Sequence, residues 1–203
     1  MNKVMLPRLG AASGAVFAIV LFVAAGNGHH FSAPRAVAAL AAITLALPFV
    51  GYVFRILREA EGANGWLAPA ALAGGITGIA LKLVSVVPEL AIHRQHIADG
   101  TQLHKALEEM AGGATLLCLY PLAVFCAATA IVALRTGVLP RWLAFGAAVT
   151  AVALAVNGGF LAASFVPALL LFVAWTLVAS VYLVRRSSSE PAARVSGEAT
   201  AAA

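Results

Sequence analysis

The sequence predicts an all-α fold, a polytopic transmembrane helical bundle of about six spans with both termini cytoplasmic. Three observations predict it. Of 203 residues, 62% are apolar and only 10% charged, a balance that soluble domains of this length do not show. The apolar residues fall in blocks of roughly 18 to 25, close to the ~20 that a helix needs to cross about 30 Å of hydrocarbon. The charged residues gather in short stretches between the blocks, leaving Lys82 as the exception inside one.

Six spans follow in order. The first, Leu9–Gly26, is preceded by Lys3 and Arg8 and loosely resembles a signal peptide. Its apolar stretch exceeds the usual ~7–15 residues, so it is expected to stay as an anchor. The second, Ala36–Phe54, ends in Arg55 and Arg58; the third runs Trp66–Pro88, the fourth Ala111–Leu134, the fifth Trp142–Phe160 and the sixth Ala163–Val184. Pro48, Pro121 and Pro167 interrupt spans two, four and six, where a lost backbone hydrogen bond bends a helix. The one sizeable loop is Glu89–Met110, and its second half, T-Q-L-H-K-A-L-E-E, reads as a short amphipathic helix leading into span four. Residues 1–186 thus form one membrane domain. Residues 187–203 are small and polar without periodicity, which predicts a disordered cytoplasmic tail.

Orientation follows from the basic residues. Lys3, Arg8, Arg55, Arg58, Arg135, Arg141, Arg185, Arg186 and Arg194 share one face, against Arg35, Arg94 and Lys105 on the other. The richer face should be cytoplasmic, in the cell (inner or plasma) membrane. Trp66, Trp142, Tyr52 and Tyr182 fall at that same end, as interfacial aromatics do. The rule accounts for the net charge of +5, so no nucleic-acid partner is expected. The bilayer is the expected partner, together with another membrane protein or a second copy of the chain. Cys118 and Cys126 lie eight residues apart in one span, about 12 Å along a helix, too far for a disulfide within it. They read as small buried apolar residues.

Few groups could carry chemistry. Lys82 is the most informative, because an ammonium within a span is costly unless it reaches water or a partner. Gly74 and Gly78 precede it at steps of four, a small-xxx-small pattern that permits close helix contact, within the bundle or in a dimer. Ser85 and Glu89 follow on the same face, and Asn157 stands near the outer end of span five. These residues suggest a polar cavity opening outward for a ligand or ion; the alternative is a lysine that snorkels to the interface. His93, His96, His104 and Glu108 have spacings that could ligate a transition metal, or they are solvated loop residues. A faint internal echo, Trp66-Leu67-Ala68 and Trp142-Leu143-Ala144, would be a parallel repeat.

The missing motifs weigh more. No Asp or Glu lies in the middle of a span, no His at mid-membrane depth, and there is no Walker loop, nucleophile elbow or Cys/His zinc spacing. No cofactor and no catalysis are expected.

Arg8–Gly14 (R-L-G-A-A-S-G), Arg58–Gly62 (R-E-A-E-G), Arg135–Leu143 (R-T-G-V-L-P-R-W-L) and the closing stretch Leu169–Arg186 resemble the six-span integral membrane proteins of actinobacteria that form a domain of unknown function. The likeness covers most of the chain and rests on loop and interface features. It implies architecture and supplies no substrate, cofactor or site residue. The expected role is therefore a non-enzymatic membrane-embedded subunit, stabiliser or lipid-interacting component; a small transporter built around Lys82 is the alternative.

Overall fold

The computed structural model describes the backbone of residues 5–26, 33–159 and 166–201, and within these the side chains of 9–21, 37–159 and 167–186. Six helices form: α1 (Met5–Gly26), α2 (Ala33–Glu61), α3 (Leu67–Arg94), α4 (Gln102–Thr136), α5 (Arg141–Gly159) and α6 (Val166–Ala201). No strand occurs among the described residues. Five helices, α2 to α6, are long and apolar enough to cross a membrane. In α1, 22 residues long, only Leu9–Leu21 counts as described apolar helix, so the rest of the span expected over Leu9–Gly26 lies outside the described side chains.

Each helix packs on its neighbour in sequence, α6 also reaches back to α1 and closes a ring, and α4 touches α2 as well. The most apolar window of α4 is 61% buried, against 33 to 44% for the other four spans, which makes α4 the centre of the bundle. Around it Phe125 meets Phe172 and Trp175 edge-on, with centroids 6.5 and 6.1 Å apart, the arrangement that ring quadrupoles favour. The Trp175 indole N–H donates to the Leu143 carbonyl at 3.1 Å, tying α6 to α5. Outward, Val84, Leu117, Val124, Val149, Val152, Leu170 and Val178 are exposed. A belt of this kind is stable only where the solvent is hydrocarbon. The chain is a multi-pass membrane protein.

The turns explain the helix ends. At the α2–α3 turn the Glu61 carboxylate accepts from the backbone N–H groups of Leu67 and Ala68 at 3.0 and 2.8 Å, capping α3, while Arg58 donates to the carbonyls of Gly65 and Ala63 at 2.7 and 2.8 Å. Thr101 caps α4 by accepting from the His104 N–H at 3.2 Å. Gly137 ends it in the left-handed conformation, φ 70°, donating to the Ala133 carbonyl. At the next turn Trp142 and Tyr182 stack edge to face, 6.2 Å apart, so these two interfacial aromatics do share one end of the bundle.

Several boundaries differ from the sequence reading. The amphipathic segment after Thr101 is continuous with α4, because its cap starts one uninterrupted helix. α3 continues through Pro88 to Arg94. Pro167 interrupts nothing: α6 begins at Val166, so the proline stands in the first turn, where its missing N–H has no helical partner to lose. α6 runs from Val166 to Ala201, and the side chains of residues 187–203, the stretch read as a tail, lie outside those described.

Candidate functional site at the seam of α3 and α4

The α3–α4 seam is built on glycine. A Cβ at Gly74 would meet the Pro121 carbonyl oxygen at 2.6 Å and the Phe125 nitrogen at 3.0 Å; one at Gly78 would meet Leu122 Cγ at 2.6 Å. Backbone therefore lies on backbone, as a small-xxx-small stripe permits. Gly75 instead makes room for the Val50 side chain of α2, whose Cγ2 a Cβ would meet at 3.0 Å. Of the two uses open to the glycine face, contact within the bundle is the one seen.

One turn beyond Gly78, the Lys82 ammonium donates to Thr115 Oγ1 across the seam at 3.0 Å. Ser85, only 2% exposed, donates to the Lys82 carbonyl at 2.7 Å. On the facing helix the Cys118 thiol donates to the Thr115 carbonyl at 2.9 Å. Of the four residues expected to form a polar patch, Lys82 and Ser85 lie together on this stretch of α3, and Thr115 of α4 meets Lys82. Glu89 makes no hydrogen bond or ion pair with them and is exposed one turn further along α3, although its carboxylate is near enough for its charge to act on the Lys82 ammonium. Asn157 belongs to α5, which packs on α4 and α6. Its neighbour Gly158 abuts Tyr120 and Leu119 of α4.

Lys82 stands six residues before Pro88 and Thr115 four residues after Ala111, the ends of the apolar stretches read from the sequence. The Lys82–Thr115 bond therefore lies about 6–9 Å inside those stretches, nearer the Glu89–Met110 end than the middle.

The histidines divide. His104 comes to lie between two carboxylates, Nδ1 3.8 Å from Asp99 and Nε2 3.8 Å from Glu108. The expected His104–Glu108 pairing is therefore present, but the two imidazole nitrogens point to different carboxylates, a poor geometry for one metal ion. His93 and His96 are exposed at the end of α3, His96 with a positive φ of 49° that turns the chain out of the helix. Among the described residues no three His, Cys, Asp or Glu side chains gather to hold a metal.

Thr115 is the residue that the sequence reading missed. A depth argument finds it: Thr115 and Thr129 are the only serine or threonine residues in Ala111–Leu134, and only Thr115 lies as near the Glu89–Met110 end as Lys82 does. Neither a protein-family model, nor a curated protein, nor a solved structure matches this chain.

Proposed function

We propose that this multi-pass membrane protein is a non-enzymatic structural component, a membrane-embedded subunit or stabiliser, in which Lys82 serves as an interhelix link. The observation that carries the reading is the Lys82–Thr115 hydrogen bond at one end of a glycine-packed seam. The bond is part-buried, and the lysine stem covers apolar surface. One of the three ammonium donors ties α3 to α4, and Ser85 is turned back on its own helix. The glycine contacts leave the helices too close for a solute passage between them at Gly74 and Gly78.

The test is Lys82→Met in the full chain, purified in mild detergent. A structural link predicts normal membrane assembly and a stability loss of about 1 kcal/mol, the net value of one hydrogen bond, with Thr115→Val costing no more in the Lys82→Met background. A transporter site predicts otherwise. Some solute in a panel of amino acids, organic acids and phosphates would stabilise the wild type, by about 2.7 kcal/mol at a hundred times its Kd, and lose that effect in Lys82→Met. That result would overturn the reading.

A further inference from the structure

We infer that the groove between α1 and α2 is a phospholipid site, which takes one acyl chain along its walls and the phosphate of the same lipid at Arg55. The groove has a volume of about 560 Å³, and Leu9, Val16, Leu45, Pro48, Tyr52 and Arg55 line it. It exists because the two helices touch closely at one level: a Cβ at Gly10 would meet Tyr52 Cβ at 3.0 Å. Next to that contact the lining is aliphatic.

The dimensions match one leaflet. Leu45 and Arg55 are ten residues apart on α2, about 15 Å of helix, which is half of a hydrocarbon core of about 30 Å. Polarity is graded along the same line. Tyr52 and Arg55 lie toward one end and the aliphatic residues Val16 and Leu45 toward the other. Ser13 lies in the wall but donates to the Gly10 carbonyl at 2.9 Å, so it offers hydrocarbon no unmet donor. A water-soluble ligand would find mostly aliphatic walls here, whereas a chain with an anionic head finds both of its requirements in order.

The charged end supplies the head-group chemistry. Arg55 donates from Nε to Glu59 at 2.8 Å, and its side chain is 63% exposed. A guanidinium carries five N–H donors, so the outer edge of the fork remains for phosphate oxygens. One turn on, the donors of Arg58 go to carbonyl oxygens and not to a carboxylate, which leaves its positive charge to favour an anion nearby. This inference rests on the membrane-embedded reading, but it involves neither Lys82 nor Thr115, so the two can fail separately.

The experiment is native mass spectrometry of the full chain in mild detergent, titrated with phosphatidylglycerol and, in parallel, with diacylglycerol of the same chains. One phosphatidylglycerol per chain is expected to bind preferentially. Arg55→Ala should weaken it about tenfold or more, as loss of hydrogen bonds to a charged group does, and Arg55→Lys by less; diacylglycerol should bind the wild type no better than phosphatidylglycerol binds Arg55→Ala. Ala12→Phe, placed in the groove wall, should reduce binding to the same extent. A second readout covers a variant that fails to fold: Leu45→Trp emission should be quenched by phosphatidylglycerol with brominated chains. Equal retention by the wild type and Arg55→Ala, equal binding of the two lipids, or an unquenched Trp at position 45 would each overturn the inference; so would a protein helix found seated in the groove.

Discussion

Gly74→Ala should separate the two ways in which a helix glycine acts. The added Cβ would come within 2.6 Å of the Pro121 carbonyl oxygen, whereas ordinary contact begins at 3.4 Å, so α3 and α4 must move apart by several tenths of an ångström or more. The obstacle is backbone, and a proline at that, and no rotamer change relieves it. Overpacking of this kind costs about 1–3 kcal/mol, and the better helix propensity of alanine offsets up to about 1. The net loss is about 1–2 kcal/mol, a fall in Tm of about 2–8 °C for a chain of this size. Gly112→Ala is the control, since a Cβ there meets nothing within 4 Å, and it should raise Tm slightly. Tryptophan emission during heating in mild detergent reads both variants, because Trp175 packs on Phe125 beside the seam. If Gly74→Ala tracks Gly112→Ala, the close approach of the two helices is refuted.

Other outcomes follow from the turns and the core. Glu61→Ala removes both acceptors that cap α3 and should cost about 0.5–2 kcal/mol in denaturant titration, with Glu61→Gln intermediate. Gly137→Ala forces a Cβ into the left-handed region at φ 70° and should lower stability by about 1–2 kcal/mol, seen as a lower Tm. Cys118 and Cys126 are both free and buried, so a maleimide should label neither in folded protein and both after denaturation.

The spans were legible because hydropathy and length decide them, and the turn at Gly137 because a glycine after the last apolar residue is a stop signal. Side-by-side order was not. These helices are apolar nearly all round, so no amphipathic stripe marks which face goes inward. Asn157 was grouped with Lys82 on depth alone, and its helix, α5, packs on α4 and α6. The same depth reasoning, applied to hydroxyls, would have reached Thr115. Gly74 and Gly78 were readable because close packing needs a missing Cβ, which a sequence states directly. The groove at α1 and α2 was invisible, since it depends on where two helices diverge after touching at Gly10.

The polar start of α4 has a practical consequence. α4 begins at Gln102, nine residues before the apolar stretch that starts at Ala111, about 14 Å of helix. That first part carries Lys105, Glu108 and Glu109, all exposed. The molecule therefore carries a built-in handle outside the bilayer. An antibody fragment raised against Asp99, His104, Lys105 and Glu109 would grip it without touching detergent, adding rigid mass to a 20.7 kDa chain that is otherwise too small to align as an image. The same reagent applied to sealed cells reports which side of the membrane the handle occupies.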